Sequence, residues 1–397
     1  MRIVHIITRF VDGGADENTM LTCNHQAEAG HDVWLAHGGQ ATERMLKLLH
    51  PNVRVACIEP LVREVSLFRD FSALLALSRL IREVRPDVVH THTSKAGVIG
   101  RLAAIAAPEA RVVHGVHILP FTSEPFLKRS IYVALEKIAA LRTHAFIDVS
   151  EGMRDLCLDY GLGSIKNHFV IYSGMDVARF REAEPSDDLA QLRRSMQNPV
   201  LIGYVAVLER RKRHREVLFG LLPLLEKYDD VRLILAGEGP ERSIIEEMIA
   251  EKGLADRVHL LGFRDDVERV LAGCDICVFG SEREGLPRSM VQYVLARKPV
   301  VAMTLPGLER VVHHGKNGFA ISSGSFDEFA EKVGQLVEDD PLRATFAAGS
   351  AAIDLSAWDA DEMAGRIEQV YRQILSSAPT LSSGRKHSGR GVGGGVQ

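Results

Sequence analysis

The stretch Glu284-Gly285-Leu286-Pro287-Arg288-Ser289-Met290-Val291-Gln292 holds the residue types and spacing best suited to chemistry. It follows an apolar run, Asp275-Ile276-Cys277-Val278-Phe279, that reads as a buried strand. Pro287 suits the first turn of a helix, where its missing N–H costs nothing. Glu284 then falls in the loop at a helix N-terminus, with Gln292 about two turns inside that helix. Backbone N–H groups at such a terminus attract phosphate. A carboxylate beside them would repel phosphate, so Glu284 is expected to accept hydrogen bonds from hydroxyls. Phosphate donors next to a hydroxyl acceptor point to a nucleotide-sugar site. The same residues would also serve as an ordinary loop-to-helix turn.

Other positions have comparable chemistry. Gly13-Gly14 follows the first strand and opens a helix, so the backbone can approach a ligand closely beside a terminus that favours anions. It is not a GxGxxG fingerprint, because Ala15, Asp16, Asn18 and Thr19 occupy the later glycine positions. A dehydrogenase is therefore a poor reading. Arg210-Arg211-Lys212-Arg213-His214-Arg215 lies at a strand end opening a helix, where a diphosphate could sit; solvated surface is the usual meaning of such a run. His117, and the pair His90 and His92, sit at further strand ends. A lone histidine is more often structural than catalytic. Lys95 at a helix N-terminus opposes the macrodipole, which hints at a ligand anion and an acceptor-side role; a solvated lysine is the alternative. Glu309 starts another helix, where an acid is favoured in any case.

The elements that would position these residues alternate along the chain. At 397 residues, 46% hydrophobic and 25% charged, the composition suits a soluble protein of two domains. Strands are expected at 2–7, 32–36, 54–58, 87–90, 111–116 and 145–149. A second set is expected at 201–205, 231–236, 258–261, 276–279 and 300–303. Helices are expected between them, including 307–314. This pattern is α/β: two Rossmann-like, doubly wound sheets facing across a cleft, with ligands at the carboxyl ends of the strands. The first domain takes residues 1–180 and the second 181–355. Residues 376–397 have no apolar face and are expected to be disordered.

No apolar run approaches the ~20 residues needed to span a membrane, and no signal-peptide pattern opens the chain, so the expected location is the cytoplasm. A net charge of −4 excludes a general polyanion binder, and no nucleic-acid partner is expected. The five cysteines are too scattered for a disulfide framework, and Cys274-Asp275-Ile276-Cys277 is expected to hold buried free thiols rather than zinc. Phe126, Leu127, Ile131, Tyr132 and Leu135, mixed with Lys128, Arg129 and Lys137, form an amphipathic stretch. Core packing is the commoner meaning of that pattern; an interfacial helix giving peripheral membrane contact is the alternative.

Taken together, Gly13–Thr19, His90–Gly97, Val113–His117, Ser173–Asp176, Gly237–Pro240, Leu261–Phe263 and Glu284–Gln292 resemble, in order, the motifs of retaining glycosyltransferases of family 4, which have the GT-B fold. One departure is that the second glutamate of the family's Glu–seven residues–Glu motif is Gln292. Another is that Val207 stands where the family usually has an arginine five positions before its phosphate-binding lysine, here Lys212. Arg210, Arg211 or Arg288 could replace that cation. The resemblance implies a helix at 356–375 crossing back to the first domain. It also implies His117 and Glu284 beside the donor sugar, as the catalytic pair. Gly13, Gly14, Lys212, Arg211, Phe263, Arg264, Gly285, Leu286, Arg288, Gln292 and Glu309 then bind the donor, with the loop at Gly262–Arg264 bordering the nucleobase.

By the same resemblance, a sugar passes from a UDP- or GDP-linked donor to a saccharide or lipid-linked acceptor in surface polysaccharide or glycolipid synthesis. No cofactor is needed and no metal, in keeping with the lack of an Asp-x-Asp motif beside the site. A GT-B sugar-nucleotide epimerase, or a catalytically weak nucleotide-sugar scaffold, are the rival expectations.

Overall fold

A computed structural model of the chain describes residues 1–377 other than 283, 285–287 and 306. Most of the tail expected to be disordered, residues 378–397, lies outside the described residues. Among those described, thirteen strands form two parallel sheets. The first contains β1 (Arg2–Ile7), β2 (Asp32–Gly38), β3 (Arg54–Ile58), β4 (Val88–His92), β5 (Arg111–Val116), β6 (Ala145–Asp148) and β7 (His168–Val170), in the order β3-β2-β1-β4-β5-β6-β7. The second contains β8 (Val200–Val205), β9 (Val231–Ala236), β10 (Val258–Gly262), β11 (Ile276–Phe279), β12 (Val300–Met303) and β13 (Gly318–Ile321), in the order β10-β9-β8-β11-β12-β13. Central strands such as β11 and β12 are apolar and buried throughout, as strands covered by helices on both faces must be.

Helix Ala360–Ser376 follows the second sheet in sequence and packs on the first. The Asp359 side chain caps it by accepting from the Asp361 N–H at 2.9 Å. Met363, Ile367, Val370, Tyr371 and Ile374 recur at helical spacing and bury against Ile3, Val88, Val113, Ala145, Ile147 and Ile171. The outgoing and returning chain segments touch: Met175 N–H donates to Trp358 O at 2.8 Å, and Ala360 N–H donates to Met175 O at 3.2 Å. Gly174 permits this approach, since a Cβ there would lie 2.8 Å from Ala360 Cα.

Three expectations need correction. Residues 307–314 form a single 3-10 turn, Leu308–Arg310, because Gly307 enters it in the left-handed region at φ 86° and the chain turns away at once. Strands β7 and β13 add an edge to each sheet that sequence periodicity misses; one has three residues and the other begins with glycine. Helix Phe126–Ala140 does not pack its apolar stripe into the core. Phe126, Leu127, Ile131, Leu135 and Ile138 are exposed, whereas Glu136 and Ala139 are buried. The cause is Arg101, fully buried on helix Ser94–Ala103, which takes Glu136 as its counter-charge. Cys274 and Cys277 are buried free thiols, as expected.

Truncating a side chain under the returning helix tests its weight. Ile367→Ala should cost the first half about 3 kcal/mol. Trp34 lies in the first half and Trp358 in the second, so in a Trp358→Phe background the fluorescence of Trp34 reports the first half alone. An unchanged urea midpoint there would show that the helix contributes nothing to the first sheet.

Candidate functional site

In each sheet the strand order reverses once, and neighbouring loops diverge there to leave a crevice. In the first sheet the reversal lies between β1 and β4; in the second it lies between β8 and β11. Gly13 follows β1, the histidines 90 and 92 end β4, and His117 follows β5. Lys212 follows β8, and Glu284 follows β11. The topology therefore brings residues far apart in sequence to one cleft of about 590 Å³. Gly13, Gly14, His117, Arg211, Phe263, Arg264, Glu284, Arg288 and Gln292 all line it, whereas His90, His92 and Lys212 are not among its lining residues.

The centre of the second sheet's edge is a charge cluster. Lys212 ends a 3-10 turn, Arg210–Lys212, and is buried. Its ammonium donates to Glu284 Oε1. The Arg211 Nη1 donates to the same oxygen at 2.6 Å, and Ser281 Oγ does so at 3.0 Å. Among the described residues no hydrogen bond falls on Glu284 Oε2. Burial lowers the Lys212 pKa below that of an ordinary lysine, and the Glu284 carboxylate opposes the shift. Of the cations that could compensate for Val207, Arg211 and Arg288 line the cleft. Arg210 instead faces Glu216 at 3.5 Å, beside a separate hollow.

Arg288 opens helix Arg288–Leu295 and reaches across the cleft. It donates to Gly174 O at 2.7 Å and pairs with Glu17 at 3.0 Å. Its side chain lies over Gly14, where a Cβ would come within 2.8 Å of Arg288 Cδ. At Gly13 a Cβ would lie 2.6 Å from Asp16 Oδ2. Burial pushes the Asp16 carboxyl up to about 7, with the Arg9 charge and the backbone at Gly13 and Val11 pulling the other way. Sequence reasoning gave no role to Asp16 or Glu17, although two acids in the first turn beside Gly-Gly were a signal.

The remaining positions divide. Phe263 is half-exposed at the cleft wall. Arg264 is held by Asp266 at 2.6 and 2.7 Å and by Asp188 at 2.6 Å, so its side chain braces the loop rather than facing a ligand alone. The Gln292 amide makes no hydrogen bond among the described residues and lines the cleft. Lys95 does not line it. It pairs with Asp70 at 2.5 Å and donates to Glu64 O, which satisfies the charge within the first half. Glu309 is exposed and also outside the cleft lining. Gly285 and Leu286 lie outside the described residues. Sequence reasoning also missed His5, which joins His90 and His92 in the only group of His, Cys, Asp or Glu side chains among the described residues close enough to share a metal ion.

Residues 12–179 match the family model described as Glycosyltransferase Family 4, and residues 188–351 match that described as Glycosyl transferases group 1. The chain is 26% identical over 299 residues to the UDP-Gal:alpha-D-GlcNAc-diphosphoundecaprenol alpha-1,3-galactosyltransferase of Escherichia coli, covering 74% of this chain and 77% of that one. It is 23% identical over 310 residues to the N,N'-diacetylbacillosaminyl-diphospho-undecaprenol alpha-1,3-N-acetylgalactosaminyltransferase of Campylobacter jejuni, covering 76% and 81%. The structure of Anabaena HepE in complex with UDP-glucose superposes with a TM-score of 0.76 at 23% identity, covering 94% of this chain and 100% of that one. At that identity the likeness establishes the fold.

If Lys212 holds a phosphate, Lys212→Ala should weaken nucleoside diphosphate binding by about 1.5–3 kcal/mol in calorimetry. Glu284 keeps Arg211 and Ser281, so the variant should fold. Lys212→Arg should restore only part, because a planar fork replaces a point charge. Unchanged affinity in Lys212→Ala would move the phosphate site elsewhere.

Proposed function

We infer that this chain, which belongs to glycosyltransferase family 4 and is a nucleotide-sugar-dependent transferase of the GT-B fold, moves a sugar from a UDP-linked donor to a lipid-linked saccharide with retention of configuration. One observation carries the reading. A single cleft joins a Gly-Gly loop and a histidine from one sheet to Arg211, Glu284, Arg288 and Gln292 from the other. The choice of uridine rests on the UDP-Gal named for the Escherichia coli relative and the UDP-glucose in the HepE complex. The choice of acceptor rests on the diphosphoundecaprenol named for two relatives.

In this reading Lys212, Arg211 and Arg288 meet the charge of the diphosphate without a divalent ion. Donors fixed before the reaction stabilise charge as it develops on the leaving group. Glu284 Oε2 and His117 hold sugar hydroxyls. The acceptor hydroxyl attacks the anomeric carbon from the side on which UDP departs. The new C–O bond forms as the bond to the β-phosphate oxygen breaks, and that phosphate takes the acceptor's proton. The products are the glycoside and UDP.

A lipid-linked acceptor requires an approach to a membrane, and no described helix is long and apolar enough to cross one. The outward stripe of helix Phe126–Ala140, with Leu67, Phe68, Phe71 and Leu75 of helix Leu67–Val84, supplies exposed apolar area on the first half. Lys128 and Arg129 stand beside the first stripe. We place this face on the anionic inner leaflet, with the enzyme working on the cytoplasmic side.

Two experiments test these assignments. With a UDP-sugar and a polyprenyl-diphosphate saccharide, Glu284→Gln should abolish most transfer, and EDTA should leave the native rate unchanged. Gln292→Glu should keep activity or tighten donor binding by about 1 kcal/mol, since a charged acceptor makes the stronger bond to a ribose hydroxyl. An inactive Gln292→Glu beside a normal Glu284→Gln would reverse the two roles. In vesicle sedimentation, binding to anionic lipid should fall as salt shortens the screening length to roughly 8 Å at physiological strength. Charge reversal at Lys128 and Arg129 should release the protein; equal binding to neutral vesicles would remove the electrostatic part.

A further inference from the structure

His117 is not isolated. Behind it runs a chain of side chains joined ring nitrogen to ring nitrogen. His117 Nε2 lies 3.4 Å from His92 Nδ1, and His92 Nε2 lies 3.0 Å from His5 Nδ1. His5 Nε2 lies 2.8 Å from Gln26 Oε1 on the helix covering that face of the sheet. In the parallel register His5 stands beside His90 and His92 beside Gly115, so these positions share one face of β1, β4 and β5. Gly115 makes the last link possible. A Cβ there would lie 3.2 Å from His92 Nδ1 and 3.4 Å from His117 Nε2. A methyl group would crowd the space where those two rings meet.

Burial drives the His5 and His117 pKa values down to about 4, and those of His90 and His92 well below the usual histidine range. The Arg288 charge adds to the shift at His117. All four rings are therefore neutral near pH 7. A neutral imidazole has one donor nitrogen and one acceptor. In a line of such rings each contact holds a single proton, so the tautomers cannot be chosen independently. Gln26 Oε1 accepts from His5 Nε2–H. His5 Nδ1 must then accept from His92 Nε2–H, and His92 Nδ1 from His117 Nε2–H. His117 is left with its Nδ1 lone pair outside the chain, on a ring that lines the cleft.

We propose that Gln26, His5 and His92 are positioning residues that lock His117 as the Nε2–H tautomer, so that it meets a donor-sugar hydroxyl as a hydrogen-bond acceptor. The proposal rests on the reading that His117 faces the donor sugar, but the tautomer can be measured without it. A histidine free to present N–H instead would turn the same contact from acceptor to donor. The lock thus selects a hydroxyl over a bare acceptor atom at that position.

The test is a long-range 1H–15N spectrum of protein labelled at histidine, with His117 assigned by its loss in His117→Gln. In the native protein Nε2 should carry the protonated-type shift and Nδ1 the lone-pair-type shift, constant from about pH 6 to 8. In His92→Phe, and separately in Gly115→Ala, which deletes no polar group, the two shifts should move toward each other as tautomers exchange. The KM for the donor sugar should rise about 5-fold, the effect of one net hydrogen bond. UDP affinity by calorimetry should stay unchanged, which shows the cleft intact. A protonated Nδ1 in the native protein, or identical His117 shifts in native and both variants, would overturn the lock. So would one equivalent of Zn2+ taken up by the native protein and refused by His5→Phe, since the nitrogens would then be ligands. If no donor sugar is turned over at all, the spectrum still decides the tautomer while the functional reading fails separately.

Discussion

A buried ammonium must have a counter-charge, and much of the cleft follows from how Lys212 obtains one. Removing one partner of a buried pair typically costs about 3–5 kcal/mol, because the other charge is left uncompensated. The partner, Glu284, belongs to a loop more than seventy residues later in sequence. The two can meet only because β8 and β11 are neighbours at the point where the strand order reverses. The local backbone is arranged to match. Arg213 adopts the left-handed region at φ 55°, so that the turn ending at Lys212 feeds helix His214–Lys227 without a break. The Tyr204 hydroxyl donates to Lys212 O from the strand beneath. Arg211 and Ser281 donate to the same carboxylate oxygen as Lys212 does.

Arg288 does the corresponding work between the halves. Its bonds to Gly174 O and Glu17 cross the cleft, and its stem occupies the volume that Gly14 leaves empty. The Gly-Gly loop therefore has two uses. It opens a helix, and it makes room for a cation from the opposite half. The glycine at 174 adds a third close approach, between the two chain segments that connect the halves.

The sequence was most readable where one local rule decided the outcome. Apolar runs such as Leu201–Val205 and Ile276–Phe279 became central strands, and Arg211 and Glu284, in the loops after them, line the cleft. It was least readable where a distant partner decided. Lys95 sits at a helix N-terminus as expected, but Asp70 neutralises it, and nothing in the motif shows Asp70 nearby. Glu309 depended on a helix that is only one turn long. The stripe on helix Phe126–Ala140 has a clear period, yet period does not say which side meets the core. The buried Arg101 settled that by drawing Glu136 inward. His5 lies within the apolar run Arg2–Ile7, and only the sheet register places it against His92.

The returning helix bears on how the protein is made. Domains fold from the N-terminus as the chain emerges during synthesis. Here the first sheet finds part of its own cover in Ala360–Ser376, which emerges only after the whole second sheet. Until then Ile3, Val88 and Val113 have no roof on that side. The half translated first is thus finished last, and a nascent chain halted before residue 360 would expose an apolar surface that quality-control factors can recognise.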